Sequence, residues 1–188
     1  MIKTLSSREA YRNAWMTVRE DVVVRANGLE GIYGYIEKPD FALVIPHCDG
    51  GFWLVEQYRY PVARRAWEFP QGSWGTQKEG SQLDLARTEL QEETGIEAHT
   101  IRHLGHLYGA YGMSNQGCDV YVATSLTQGV PQREDTEQDM VHSWFSEIDF
   151  VLMIQRGDVV DAATIAAFAY FTIDRSSRLS VERLSRAE

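Results

Sequence analysis

The segment Glu89-Leu90-Gln91-Glu92-Glu93-Thr94-Gly95-Ile96 sets three carboxylates at i, i+3 and i+4. On a helix these positions share one face. Like charges that close repel, so a bare helix gains nothing from them. A divalent cation removes the penalty, and clustered carboxylate oxygens suit Mg²⁺ or Mn²⁺, which also hold waters and substrate phosphates. Gly95 then supplies a helix stop, because glycine tolerates the left-handed conformation required there. Taken alone, a Glu-rich helix reads as a solvated face. Here a glycine loop, Trp67-Glu68-Phe69-Pro70-Gln71-Gly72-Ser73-Trp74-Gly75, lies just upstream. Glycine lets backbone approach a ligand closely. The order is strand, glycine loop, acidic helix from near Ser81, glycine stop.

The elements that must position these groups follow from periodicity and turn signals. Residues 15–24, 31–36, 41–46 and 52–60 read as strands, with turns at Asn27-Gly28 and Asp49-Gly50-Gly51. Residues 101–107, 118–125 and 141–145 read as further strands. The tail from Glu147 to Phe171 reads as helix, with Ile165, Phe168 and Ala169 at i, i+3, i+4 spacing. Strands mixed with helices in this order give an α/β class and suggest an α/β/α sandwich. His99, His103 and His106 tempt as metal ligands, but a strand there need not make them converge, and packing or surface roles are expected.

Composition narrows the function. At 188 residues, 44% of them hydrophobic, the chain fits one globular domain with a sizeable core. No apolar run reaches membrane-spanning length, and Met1 to Glu9 lacks the apolar core of a signal peptide. Cys48 and Cys118 are too few for a disulfide framework, so a reduced cytoplasm is expected. A net charge of −9 speaks against an extended nucleic-acid surface but not against a small anionic substrate. Arg59, Arg64 and Arg65 form a local cation cluster ahead of the glycine loop.

The pieces together resemble the Nudix box of the Nudix hydrolase superfamily. Glu89 to Ile96 matches every specified position of its second half. The first half departs: Thr88 stands where the box has Arg, Arg87 lies one residue early, and Gly72 sits two residues too far from Glu89. The insertion reads as a longer loop. Glu56-Gln57-Tyr58-Arg59, Glu68-Phe69-Pro70-Gln71-Gly72, Tyr111-Gly112-Met113-Ser114 and Gly157 to Thr164 are similar to segments of ADP-ribose pyrophosphatases and other nucleoside diphosphate sugar hydrolases, in the same order.

The resemblance implies a mixed-sheet Nudix sandwich over residues 41–188. It also implies N-terminal strands over 1–40 that serve a homodimer. It implies Mg²⁺ (or Mn²⁺) held by Glu89, Glu93 and the backbone carbonyl of Gln71, with Arg59, Glu68, Gly112 and Met113 against substrate. Glu92 and Glu137 are the expected catalytic carboxylates, with Glu134 and Asp135 as runners-up for the general base. The implied reaction is hydrolysis of ADP-ribose or a related nucleoside diphosphate sugar. A dinucleoside polyphosphate or capped-RNA hydrolase, or a ligand-sensing domain without catalysis, are the rival readings.

Overall fold

The computed structural model describes residues 1–74, 80–133 and 138–185. Among the described residues there are two sheets. Strands β1 (Lys3–Arg12), β2 (Thr17–Val24) and β3 (Glu30–Glu37) form an antiparallel three-stranded sheet. A seven-stranded mixed sheet follows. Its strands are β4 (Phe41–Cys48), β5 (Gly51–Arg59), β6 (Arg64–Glu68), β7 (Gln71–Ser73), β8 (Glu97–Tyr108), β9 (Gly117–Thr127) and β10 (Val141–Ser146). The main order is β10-β5-β4-β9-β8, with β6 on β5 and β7 on β4. Only β4 and β9 pair in parallel among these neighbours.

Helix α1 (Gln82–Thr94) covers one face of this sheet, and α2 (Glu147–Arg156) with α3 (Ala162–Ser185) covers the other. The alternation of β4 shows how the layers are built. Ala42 and Val44 pack with Leu85, Ala86 and Leu90 of α1, while Leu43 and Ile45 pack with Phe52, Phe69 and Phe150. Successive side chains of a strand point to opposite faces, so a strand apolar at every position belongs between two layers. The expected α/β/α sandwich is therefore present.

The differences from expectation have local causes. Strand β1 carries Ser, Arg and Glu on exposed positions and shows little hydrophobic alternation, so nothing in its composition announces it. The expected glycine loop overlaps the end of β6 and contains β7, because Gln71–Ser73 extends enough to pair with β4. The tail is two helices rather than one. Gly157 caps α2 with φ 80°, and the chain then turns before α3. Among the described residues no helix is long and apolar enough to cross a membrane.

Candidate active site

Helix α1 starts at Ser81, whose Oγ accepts from the Asp84 amide at 3.1 Å, and stops at Gly95 with φ 74°. Leu85, Ala86 and Leu90 anchor it to the sheet. The same rotation turns Glu93 inward, to 1% exposure, while Glu89 and Glu92 stay half-buried. The inward face meets β7. The Gln71 amide donates to Glu93 Oε2 at 3.2 Å. A Cβ built on Gly72 would collide with the Glu89 carboxylate. That glycine is required by close approach rather than by its backbone angles. The departures in the box also gain a physical account. Arg87 points away and donates to the Ala98 carbonyl at 3.1 Å, so it does not replace the missing box arginine. Instead Arg133 Nε reaches the Glu93 carbonyl at 3.2 Å, at the electronegative end of α1.

Across from the helix, Glu68 is 2% exposed. Arg59 grips it through Nη2 to Oε1 and Nε to Oε2, the latter at 3.3 Å. Gln57 Nε2 donates to Oε1 at 2.9 Å. Burial raises the Glu68 pKa, and Arg59 draws it only part of the way back. For Arg59, burial acts downward, but Glu68, Glu93 and Asp161 together outweigh it and hold its pKa above the usual range. These groups thus share one electrostatic neighbourhood. Asp161 immediately precedes α3 and accepts from the Thr164 amide at 2.8 Å. It also accepts from Gln71 Nε2 at 3.2 Å.

A cavity of about 490 Å³ opens here, lined among others by Arg59, Glu68, Gln71, Gly72 and Asp161. Its size suits a small-molecule ligand. Its walls carry charges of both signs, with Lys38 and Arg59 beside two carboxylates. Glu68 and Asp161 line it, and Glu93 and Glu89 touch the lining residues Gln71 and Gly72.

The expected site residues divide. Arg59, Glu68, Gln71, Glu89 and Glu93 come together at the cavity. Glu92 lies on the same helix, its carbonyl accepting from the Gln132 amide at 2.9 Å. Gly112 and Met113 do not line the cavity. Their turn rests on β3, where the Gly112 carbonyl accepts from the Tyr33 hydroxyl at 2.8 Å and the Met113 carbonyl from the Ile36 amide at 2.9 Å. Glu134, Asp135 and Glu137 lie outside the described residues. The arginine cluster separates: Arg65 pairs with Glu56 and Asp139, and Arg64 donates to the Gly157 carbonyl, leaving Arg59 at the cavity. Gln57 and Asp161 lie within the segments Glu56–Arg59 and Gly157–Thr164, yet their contacts run across strands and layers and leave no mark in local spacing.

Comparison with known proteins agrees with this geometry. Residues 38–168 match the model of the NUDIX domain. Residues 2–36 match the nucleoside diphosphate sugar hydrolase N-terminal domain. An ADP-ribose pyrophosphatase of Mycobacterium tuberculosis (strain ATCC 25618 / H37Rv) is 33% identical over 168 residues, 87% of this chain and 80% of that protein. An ADP-ribose pyrophosphatase of Bacillus subtilis (strain 168) is 24% identical over 173 residues, 91% of this chain and 92% of that protein. The crystal structure of an ADP compounds hydrolase superposes with a TM-score of 0.81 over 94% of this chain and 95% of that one, at 17% identity, a likeness of fold. With the NUDIX domain spanning most of its length and an acidic helix seated on a glycine strand inside it, the chain belongs to the Nudix hydrolase superfamily.

Proposed function

We propose that the protein hydrolyses the diphosphate linkage of ADP-ribose or a closely related nucleoside diphosphate sugar, releasing a nucleoside monophosphate and a sugar phosphate. The observation that carries the reading is the seating of Glu89 and Glu93 on the backbone of Gln71 and Gly72, at a cavity that also holds the Arg59–Glu68 pair. The two relatives named ADP-ribose pyrophosphatase support the choice of substrate.

The donor chemistry fits divalent metal. Hard carboxylate oxygens from Glu89 and Glu93, with the Gln71 carbonyl, would hold Mg²⁺ or Mn²⁺, and Gly72 leaves the Glu89 carboxylate the space a Cβ would take. Bound there, the metal would neutralise diphosphate charge and polarise the reacting phosphoryl group.

The protein's own groups have separate tasks. Arg59 meets Glu68 through Nε and Nη2, which leaves the Nη1 edge of its fork to receive a phosphate oxygen. Glu68, held by Gln57 as well, fixes that fork in place. Asp161 orients the Gln71 side chain and so steadies the strand that carries the proposed carbonyl ligand. Glu137, or Glu92 on the acidic helix, would take the proton from the attacking water. Water adds to one phosphorus, the bridging P–O bond breaks, and the phosphate ester leaves.

The assembly and setting follow the same reading. Strand β1 is exposed along its whole length and lies at the edge of its sheet, a template for pairing with a second copy. We assign this sheet, residues 1–40, as the dimerisation arm of a homodimer and residues 41–188 as the hydrolase domain. Both cysteines are free, which fits a cytoplasmic setting. Chromatography of products from ADP-ribose, ADP-glucose, GDP-mannose and dinucleoside polyphosphates, each with Mg²⁺, tests the substrate. The expected result is AMP and ribose 5-phosphate from ADP-ribose; turnover confined to dinucleoside polyphosphates would reject it.

A further inference from the structure

A second cluster of ligand-type side chains lies outside the acidic helix. Strand β8 contains a bulge. His103 pairs with Tyr121, Gly105 with Val120, and His106 with Asp119. On β9, positions 119 and 121 are two apart and share a face. On a regular strand His103 and His106, three apart, would point to opposite faces. The extra residue re-aims them, as bulges do. Both imidazoles then converge on one carboxylate: His103 Nε2 lies 2.9 Å and His106 Nδ1 3.4 Å from Asp119 Oδ1.

Asp40, just ahead of β4, completes the group. Its Oδ1 accepts from the Gly117 amide at 2.6 Å. A Cβ at Gly117 would strike the His106 ring and stand 3.0 Å from Asp40 Oδ1, so the bare backbone forms the floor between them. On the opposite face, Gly105 leaves room for the Tyr170 ring of α3, and the Tyr170 hydroxyl donates to the His106 carbonyl at 3.2 Å. One ligand atom from each of Asp40, His106 and Asp119 lies within 4.8 Å of the others.

We propose that Asp40, His106 and Asp119 bind a divalent transition metal of the Zn²⁺ class, with His103 holding the Asp119 carboxylate through Oδ1. One imidazole nitrogen and two carboxylate oxygens are a donor set that Zn²⁺ accepts. Bonds of about 2.1 Å in tetrahedral geometry hold ligand atoms roughly 3.5 Å apart, so side-chain movements of about 1 Å close the site. The His103–Asp119 contact is the kind of outer partner that fixes a ligating carboxylate.

The location suggests what the ion does. Asp40 lies in the short link between β3 and β4, where the two sheets join. That link is already tied to the segment before β9: the Lys38 amide donates to Asn115 Oδ1 at 3.1 Å, and Gln116 Nε2 donates to the Pro39 carbonyl at 2.8 Å. A metal on Asp40, His106 and Asp119 clips this joint to the β8–β9 pair. Its ligands are separate from Glu89 and Glu93, so the site does not depend on the proposed hydrolysis.

Zinc stoichiometry on EDTA-stripped full-length protein tests the assignment, read by elemental analysis after dialysis against Zn²⁺ and by the thermal midpoint with and without it. In Glu93→Gln, one equivalent of Zn²⁺ remains, and saturation about 100-fold above Kd raises the midpoint by roughly 5–10 °C. Adding His106→Ala or, as a milder change, Asp119→Asn removes both that equivalent and the thermal shift. Retention of the equivalent in both double variants, or no bound zinc in Glu93→Gln itself, overturns the proposal. Co²⁺ in place of Zn²⁺ gives a visible spectrum that disappears with His106→Ala if His106 is a ligand and persists if it is not.

Discussion

At the scale of single residues, Gly72 is the most telling position. The atoms its missing side chain would strike are the carboxylate of Glu89, the mobile end of a long side chain. Gly72→Ala therefore displaces a proposed metal ligand while the fold adapts. Stability should change by no more than about 1 kcal/mol in urea denaturation, while kcat/KM falls roughly 100-fold, the cost of about an ångström of misplacement. Arg59 behaves differently. Arg59→Ala strands the buried Glu68 with neutral partners, Gln57 and Gln71. Because Arg59 is 43% exposed, the loss at neutral pH is about 1–2 kcal/mol rather than that of a fully buried pair. The sign with pH is fixed by burial. Glu68 binds its proton more tightly in the folded state, so the variant loses stability as pH rises above the ordinary carboxylate value of 4.5. Denaturation at pH 5 and pH 8 should show the larger deficit at pH 8, and adding Glu68→Gln should remove the difference. Glu89 and Glu93 were legible in the sequence because their spacing on one helix face is local, and Arg59 and Glu68 through short segments that resemble those of nucleoside diphosphate sugar hydrolases. Asp161 and Gln57 act across strands and layers, and no local pattern distinguishes them from surface polar residues.

At the scale of elements, α1 was readable from end to end, since its serine cap, carboxylate face and glycine stop lie within one continuous stretch. Strand β8 was readable as a strand but not as a bulged one. Gly105 is the local hint, yet the bulge is defined by which β9 residue each β8 residue meets. That single displacement turns histidines expected to diverge into a convergent pair. The split of the tail at Gly157 was similarly marked by a glycine whose left-handed angle appears only in the folded chain. Helix α3 is held to the sheet by Arg102 of β8, which donates two hydrogen bonds to Asp174 at 2.9 and 2.7 Å, and to α2 by Arg175 on Glu147. For both acids burial pushes upward but their arginine partners win, so each folded pKa lies below its ordinary value of 3.8 for Asp174 and 4.5 for Glu147. Their contribution is complete above those values and is lost as pH falls through the lower folded ones. Asp174→Asn should cost about 1 kcal/mol at pH 7 and progressively less as the pH is lowered below 3.8, measured by chemical denaturation of both proteins.

At the scale of the whole molecule, two sheets of different character are joined by the link before β4. The larger, buried on both faces, holds the acidic helix, the glycine strand and the arginine–glutamate pair in fixed relation. Its class followed from the alternation of strands and helices. The smaller sheet did not announce its first strand, because an exposed strand need not alternate. Removing metal separates a hydrolase from a sensor that merely binds nucleotide sugar, since a sensor yields no product in either condition. The most direct test of the central claim is AMP release from ADP-ribose, followed by chromatography, for the wild-type protein with Mg²⁺, the wild-type protein with EDTA, and Glu93→Gln with Mg²⁺. The account predicts turnover in the first, none in the second, and a rate at least about 100-fold lower in the third. Equal Mg²⁺-dependent release by Glu93→Gln and the wild-type protein would contradict it.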